Sequence, residues 1–342
     1  MPGGFAEGQL ERYYSIHGLC LRVNVPIHGL IPLSPRAPYD LDVYLESQPL
    51  PTEQDAQRLA SKPSWASTAD VPKEPRELSR VSTDGSHHQV RFDDGTLFLI
   101  GASGRWVYGS WPPELTLEDT LTYFLSTIIR LVLRLRGIVC LHASAVGIDG
   151  AAVALVGAAE SGKSTTATAF AKLGFPILAD DLVTLWPHAG QYLVQPGYRY
   201  LRLWPDSAAM LFGPRHDLPP LTPTWEKRYL DLGGDAAPFE ERALPLSALY
   251  FLMPRSEGAA APSVRPAVGV ESFLTLLSEV YSSYLDDSHA RVEEFHLMAR
   301  VLQALPSREA TPHRDPSLLP KLCELIVEDF RALRQEAGSF AA

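Results

Sequence analysis

The sequence has few cysteines and no excess of basic side chains. Only three cysteines occur in 342 residues, Cys20, Cys140 and Cys323, and no two of them form a C-x-x-C pair. This pattern predicts neither a disulfide framework nor a zinc site, and we expect a reducing, cytoplasmic location. The formal net charge of -10 argues against nucleic acid as a partner, because such binding depends on Lys and Arg side chains that neutralise phosphates.

The chain also lacks an apolar run suited to a membrane. Its most apolar long stretch, 121–141, contains Arg130, Arg134 and Arg136, which would be costly in a bilayer. The first residues show no basic region followed by an apolar core, so no secretory signal is expected. Hydrophobic residues make up 46% of the chain, an ordinary share for a globular protein that can form one large domain or two smaller ones.

Residues 1–114 predict a β-rich N-terminal region that could bind a peptide. Alternating apolar residues indicate strands at 19–25 and 41–45, and Asp94-Gly95 supplies the turn of a hairpin across 89–100. Residues 47–86 are rich in proline, serine and charge without periodicity, which predicts a long exposed excursion.

Residues 115–342 predict an α/β nucleotide domain with a helical C-terminal region. A capping box at Thr116 and Asp119 begins a helix that we expect to pack on this domain. The periodicity predicts strands at 142–148, 151–156, 176–184 and 246–253, a mobile region at 195–245, and helices at 272–284, 289–305 and 318–333.

The most informative motif lies between a strand-like run and a helix-prone run. Gly157, Gly162, Lys163 and Ser164 match the G-x-x-x-x-G-K-[ST] pattern of a phosphate-binding loop. Backbone N–H groups and a helix N-terminus bind phosphate oxygens in such loops, the lysine contacts the outer phosphates, and the serine is a Mg²⁺ ligand. The expected nucleotide-binding residues are Gly157, Ala158, Ala159, Glu160, Ser161, Gly162, Lys163, Ser164 and Thr165.

Asp180 and Asp181 follow the next predicted strand, at the edge where α/β sheets bind ligands. Phosphoryl transfer needs a metal organiser and a group that orients or deprotonates the attacking hydroxyl, and this pair could supply both. The alternative is that one aspartate only caps a turn. His142 lies on the strand expected beside the loop strand, and by itself such a histidine is more often a hydrogen-bonded core residue than a catalytic one.

Taken together, His142, the phosphate loop and Ala179-Asp180-Asp181 resemble the catalytic core of HPr kinase/phosphorylase and its relatives, which share a P-loop fold with ATP-dependent phosphoenolpyruvate carboxykinase. Residues 196–206 and 225–228 resemble the HPr-kinase-like enzymes found beside lasso-peptide biosynthesis genes, which phosphorylate a serine hydroxyl of a precursor peptide.

This resemblance implies roles for individual residues. It makes Asp180 the general base, His142 and Lys163 further catalytic residues, and Ser164 and Asp206 metal ligands. Asp181 is expected to act in catalysis and in binding the metal. Because guanidinium and ammonium groups bind phosphate, the candidates for the transferred phosphate are Arg199, Arg202, Lys227 and Arg228.

Two departures from the family pattern stand out. The signature by which true HPr kinases recognise HPr is absent, so HPr is not the expected substrate. Glu160 stands where relatives usually have glycine, which adds a carboxylate near the phosphates and predicts an unfavourable backbone angle costing about 1 kcal/mol or more.

The motifs and this resemblance together predict an ATP- and Mg²⁺-dependent kinase whose acceptor is a serine or threonine hydroxyl of a lasso-type precursor peptide. A homo-oligomer is compatible with this prediction. Two alternatives stay open: a small-metabolite kinase of the same fold, and a nucleotide-dependent peptide-binding module whose catalysis has decayed.

Overall fold

The structure, a computed structural model, describes residues 11–35, 37–47, 78–83, 87–233, 237–258, 261–267, 269–280 and 288–340. Contacts divide these residues into two compact units. The first holds the described residues up to Ile138 together with Thr222–Thr224, and the second holds the others. The boundary expected between residues 114 and 115 therefore differs from the observed one, because the helix that begins at Leu117 belongs to the first unit.

Eight strands of the first unit form one sheet, in the order β3-β1-β2-β4-β8-β7-β6-β5. Their bounds are β1 Arg12–Ile16, β2 Leu19–Val23, β3 Ile31–Pro32, β4 Leu41–Ser47, β5 Leu78–Thr83, β6 His87–Phe92, β7 Leu97–Gly101 and β8 Trp106–Trp111. Strands β2 and β4 and the hairpin of β6 and β7 confirm the predictions, with Gly95 at φ 91° in the turn. The excursion expected at 47–86 lies mostly outside the described residues, but β5 at its end pairs with β6.

One helical stretch completes this unit: α1 (Leu117–Tyr123), a π-helical turn (Phe124–Ile128) and α2 (Ile129–Leu135). The predicted capping box is confirmed, since Thr116 Oγ1 accepts from the Asp119 backbone N–H at 3.2 Å and Asp119 Oδ2 accepts from the Thr116 N–H at 3.1 Å. Tyr123 stacks on Phe92 with ring centroids 3.8 Å apart. The helix therefore packs on the sheet of its own unit, and the expectation that it also packs on the nucleotide domain stays a prediction.

The second unit is built around a nine-stranded sheet. Seven strands lie in the order β12-β10-β11-β18-β14-β13-β9, and β20 pairs with β18 and β19. The bounds are β9 Val139–Leu141, β10 Ala143–Ile148, β11 Ala151–Val156, β12 Ile177–Ala179, β13 Val183–His188, β14 Gln191–Val194, β18 Leu244–Leu252, β19 Ser263–Pro266 and β20 Ser307–Thr311. Three further strands, β15 (Tyr200–Leu203), β16 (Pro220–Thr222) and β17 (Trp225–Asp231), form a small sheet in the order β15-β17-β16.

Helices cover both faces of the nine-stranded sheet. They are α3 Lys163–Lys172, α4 Pro205–Phe212, α5 Val270–Ser278, α6 Ser288–Ala304 and α7 Leu319–Phe340, with a 3₁₀ turn at Pro316–Leu318. Val146 and Ile148 of β10 belong to one core cluster with Phe170 and Phe330, and Ala143 and Ala145 belong to another with residues of α5 and α6. Burial on both faces explains why β10 and β11 are apolar at nearly every position.

Most predicted elements of this unit are confirmed, including the helices expected at 289–305 and 318–333. The helix expected at 272–284 is present but ends at Ser278, and residues 281–284 lie outside the described ranges. Two expectations need correction. The strand predicted at 176–184 is two strands, β12 and β13, separated by Asp180 and Asp181. Residues 195–245, expected to be a mobile region, contain α4 and β15 to β17. Among the described helices, none combines the length and apolar character needed to cross a bilayer.

The sheet topology brings the predicted site residues to one edge. Strands β11 and β12 both pair antiparallel with β10, so they run in the same direction and end at the same edge. Gly157 follows β11 and Asp180 follows β12, while His142 precedes β10 at that edge. Ligands of α/β sheets bind at such carboxyl ends.

Candidate functional site

The phosphate loop connects β11 to α3, and its two glycines are required for different reasons. A Cβ on Gly157 would lie 2.8 Å from Ser161 Oγ and 3.1 Å from the Leu252 carbonyl oxygen, so no larger residue fits. Gly162 caps α3 with φ 96°, in the left-handed region that favours glycine. The loop therefore has close packing at its start and a left-handed turn at its end, where the N-terminus of α3 attracts anions.

Glu160 also lies in the left-handed region, at φ 64°, and its side chain is exposed. The unfavourable backbone angle predicted for this residue is confirmed. A non-glycine residue in this conformation costs roughly 1 kcal/mol or more. The loop thus combines a strained residue with an added carboxylate.

Lys163 is buried at the start of α3, and its side chain turns back over the loop. Its Nζ donates to the carbonyl oxygens of Gly157 at 2.6 Å and Ala158 at 3.1 Å. Burial lowers the pKa of this ammonium group, while the carboxylates of Glu279, Asp181 and Asp180 act to raise it. Lys163 is thus a buried cation with three acidic neighbours.

Asp180 is only 5% exposed, and its Oδ1 accepts a hydrogen bond from Ser144 Oγ at 2.6 Å. Burial raises the pKa of this carboxyl group, with the neighbouring charge of Asp181 adding to the effect. Hydrogen bonds from Ser144 and Ser164 and the charge of Arg202 oppose that rise. Asp180 therefore faces inward, towards the serine of the phosphate loop.

Asp181 has the opposite exposure. Its backbone adopts φ 67°, and its side chain is 35% exposed. Its Oδ1 lies 3.6 Å from His142 Nε2. The turn after β12 therefore directs two adjacent carboxylates into different surroundings, one inside the protein and one at its surface.

His142 contacts a residue that sequence reasoning missed, Glu279. The His142 backbone N–H donates to the Glu279 carbonyl oxygen at 2.8 Å, and His142 Nδ1 lies 3.2 Å from Glu279 Oε2. The same Oε2 lies 3.8 Å from Lys163 Nζ. Glu279 is the C-cap of α5, at the end of an amphipathic helix, and no motif marks it.

Of the four cations proposed for the transferred phosphate, Arg202 is the one whose charge acts on the pKa of Asp180. Its charge acts on Asp180, and its guanidinium carbon is 4.9 Å from the ring centroid of Tyr198. Burial raises the pKa of Tyr198, and the charges of Asp181 and Asp180 add to this. Tyr198 is a second residue of the site that the sequence did not single out.

The other three cations make different contacts. Arg199 Nε lies 3.8 Å from Asp231 Oδ1, and Lys227 Nζ lies over the rings of Trp204 and Trp225 at 4.5 and 5.0 Å. Arg228 lies on β17 opposite Leu203. The described contacts do not bring these three to the aspartate pair.

A groove borders the phosphate loop and the first turn of α3. Its lining includes Ser161, Gly162 and Thr165 together with Met210, Arg255 and His313. Thr165 Oγ1 and Ser207 Oγ, 3.3 Å apart, join α3 to α4 beside it. This groove lies next to the residues expected to bind phosphates and mixes apolar and cationic walls.

The oxygen groups around Ser164 fit a magnesium ion. Hydroxyl and carboxylate oxygens are the ligands that Mg²⁺ prefers, and Ser164, Asp180 and Asp181 provide them. Within the described ranges, no group of three or more His, Cys, Asp or Glu is arranged to hold a metal by itself. Asp206 is exposed in the first turn of α4, and no described contact links it to Ser164.

Comparison with known proteins gives little. No family model and no curated protein matches the chain. One solved structure that is similar is the Hpr(Ser) kinase/phosphatase from Coxiella burnetii, with 16% sequence identity over 59% of this chain and 96% of that one. The TM-score is 0.33, and a likeness at this level carries no argument about fold or function.

Proposed function

We propose that this protein is an ATP- and Mg²⁺-dependent kinase that transfers the γ-phosphoryl group to a serine or threonine hydroxyl of a biosynthetic precursor peptide of the lasso type. The observation that carries the kinase assignment is the arrangement of Lys163, Asp180, Asp181 and His142 around the phosphate loop at one sheet edge. The peptide acceptor rests on the resemblance of residues 196–206 and 225–228 described above.

The loop and α3 would bind the phosphates. The helix N-terminus at Gly162 and the ammonium of Lys163 stabilise negative charge that builds up on the transferred group. To reach a phosphate, Lys163 exchanges its contacts with the carbonyl oxygens of Gly157 and Ala158 for phosphate oxygens. The nucleoside would then lie beside Thr165, near Met210 and Arg255.

Ser164 and the inward carboxylate of Asp180 would hold Mg²⁺, which neutralises charge on the outer phosphates when bound. In many P-loop enzymes the metal is held by the loop serine or threonine together with a strand-end aspartate. The hydrogen bond between Ser164 and Asp180 supports that role for Asp180. Asp206, in the first turn of α4, remains a proposed further ligand on the basis of the resemblance alone.

Asp181 is then the carboxylate that accepts the proton of the acceptor hydroxyl. A general base must reach the substrate, and Asp181 is 35% exposed whereas Asp180 is 5% exposed. This division reverses the roles that the resemblance implies, with Asp180 as base and Asp181 as metal ligand. Arg202, whose charge acts on Asp180, would stabilise the transferred phosphate.

One observation favours a second candidate function. Glu160 adds strain and negative charge to the loop, as expected if the protein were a nucleotide-dependent peptide-binding module with decayed catalysis. Nucleotide binding without phosphoryl transfer is the property that separates this candidate from the kinase.

The test is incubation of the purified protein with ATP, Mg²⁺ and a panel of lasso-type precursor peptides, followed by mass spectrometry. We expect an increase of roughly 80 Da, one phosphoryl group, on a serine or threonine of a peptide, and a strongly reduced yield of it in the same time with the Lys163→Ala variant. Nucleotide binding with no increment on any peptide would favour the decayed module, and transfer to small alcohols alone would favour a metabolite kinase.

A further inference from the structure

We propose that Glu279 is a positioning residue of the phosphoryl-transfer site, where one buried carboxylate holds both the imidazole of His142 and the ammonium group of Lys163. This inference rests on the function proposed above. No motif contains Glu279, and it lies 137 positions after His142 in the chain (279 minus 142).

The backbone places Glu279 independently of its side chain. The His142 N–H donates to the Glu279 carbonyl oxygen at 2.8 Å, and Leu141 forms an antiparallel bridge with Val280. These bonds fasten the end of α5 to the segment that joins β9 and β10. A substitution of the Glu279 side chain therefore leaves the backbone attachment intact.

One oxygen atom serves both partners. Glu279 Oε2 lies 3.2 Å from His142 Nδ1 and 3.8 Å from Lys163 Nζ, and the side chain is only 8% exposed. When Nδ1–H donates to a carboxylate, the ring plane is fixed and the other nitrogen points in a set direction. In this site Nε2 points towards Asp181, 3.6 Å away.

A line of contacts thus runs from Glu279 through His142 to Asp181, the carboxylate proposed to face the acceptor. The same oxygen, Glu279 Oε2, also lies near Lys163 Nζ and partly offsets its positive charge. Removing the carboxylate would release both groups without changing any residue that is proposed to contact the substrate. Glu279 therefore acts through His142 and Lys163 and does not contact the reacting atoms.

The test compares Glu279→Gln with Glu271→Gln, an exposed residue of the same helix that serves as the matched control. For Glu279→Gln we expect kcat to fall about 10- to 100-fold, the range seen when groups that orient a catalytic histidine are removed. We expect the KM for ATP and the Kd for Mn²⁺·ADP to change by less than about threefold, and the melting temperature to stay close to that of the wild type. Glu279→Asp should recover part of kcat, because it keeps the charge one methylene further away.

Nitrogen-15 NMR of the imidazole gives a second readout that does not need turnover. The Nδ1 signal of His142, assigned with a His142→Asn variant, should shift in Glu279→Gln and remain in place in Glu271→Gln. Wild-type kcat with an unshifted His142 signal would overturn the inference. It would also be overturned if kcat, nucleotide affinity and melting temperature all fell together, which indicates a purely structural role.

The two proposals fail in different ways. If the wild-type protein transfers no phosphoryl group, the kinase proposal fails, but the imidazole signal still decides whether Glu279 holds His142. If the wild type is active and Glu279→Gln is equally active, only the positioning role is lost.

Discussion

Two buried aspartates, one in each unit, show opposite electrostatic behaviour. Asp119 in the first unit is fully buried, yet its pKa is lowered. Burial acts to raise it, but hydrogen bonds from Thr224, Thr116 and Thr222 together outweigh burial. Asp180 in the second unit also accepts hydrogen bonds from hydroxyl groups, but its pKa is raised, because burial and the adjacent Asp181 prevail.

This difference agrees with a structural role for Asp119 and with the functional role proposed for Asp180. Asp119 completes a capping box and accepts from Thr224 Oγ1 at 2.6 Å, so its negative charge is matched within the folded unit. At Asp180, burial and the charge of Asp181 outweigh the hydrogen bonds from Ser144 and Ser164, and a perturbed carboxyl group of this kind suits the Mg²⁺ and nucleotide site proposed above. Substitutions in the two networks should therefore change different measured quantities.

The largest effect is expected within the carboxylate pair. Asp181→Asn should lower kcat by about 10²- to 10⁴-fold, the usual contribution of a general base, and should leave the affinity for Mn²⁺·ADP nearly unchanged. Asp180→Asn should weaken Mn²⁺·ADP binding as well as turnover. Single-turnover kinetics and titration calorimetry measure the two quantities. The opposite pattern would restore Asp180 as the base.

A somewhat smaller effect is expected for Lys163→Ala. Loss of the ammonium should lower kcat/KM for ATP about 10²- to 10³-fold, because a charge that stabilises the transferred phosphate is removed. Cooperative unfolding should persist, as measured by circular dichroism. Lys321→Ala, which removes only an exposed partner of Glu324, is the control and should match the wild type in both assays.

In the first unit, Asp119→Asn should act on stability and leave nucleotide binding alone. The loss of charge-assisted hydrogen bonds at a buried site should lower the free energy of unfolding by about 1–3 kcal/mol, measured in urea. Thr116→Ala, which removes only the capping hydroxyl, should cost about 1 kcal/mol. Lost nucleotide affinity in either variant would show that the two networks are not functionally separate.

The pH dependence of this effect has a definite sign. Because the pKa of Asp119 is lower in the folded protein than in the unfolded chain, its stabilisation is fully present above the unfolded value, near pH 4, and is lost as the pH falls through the folded pKa. The difference in unfolding free energy between wild type and Asp119→Asn should therefore shrink in strong acid. For Asp180, whose pKa is raised by burial, ionisation destabilises the fold, so the unfolding free energy of the wild type relative to Asp180→Asn should increase as the pH falls.

The smallest effect is expected at Glu160. Glu160→Gly relieves the backbone at φ 64° and removes a charge, so the unfolding free energy should rise by up to about 1 kcal/mol and nucleotide affinity should increase. Glu160→Gln keeps the strain and removes only the charge, which separates the two contributions. Unchanged affinity in both variants would show that Glu160 does not limit nucleotide binding.

The sequence predicted the parts of the site that are contiguous in the chain. A phosphate loop needs glycine at positions of close approach and positive φ, so Gly157 and Gly162 mark it locally. The capping box could also be predicted, because Thr116 and Asp119 are only three residues apart. Adjacent aspartates after a strand were also visible, but whether each points inward depends on the turn at Asp181, with its φ of 67°.

What could not be predicted depends on contacts between distant segments. Amphipathic periodicity shows that the helix beginning at Leu117 has a buried face, but not that Phe92 covers it. Likewise, Arg199 and Arg202 look alike in sequence. Only the fold shows that Arg199 pairs with Asp231, whereas the charge of Arg202 acts on Asp180. Glu279 has no local signal because its role comes from a bond to the backbone of His142.

That bond has a consequence for biosynthesis on the ribosome. A nascent chain that has emerged only as far as residue 180 already contains β10, β11, the phosphate loop and α3, whose mutual contacts are mostly close in sequence. The residue that holds the imidazole is translated about a hundred codons later, and non-local contacts of this kind form late in folding. Because β11 and the phosphate loop also pack on β18, nascent polypeptides arrested after Leu252 and before Glu279 should capture nucleotide before they acquire the ability to turn it over.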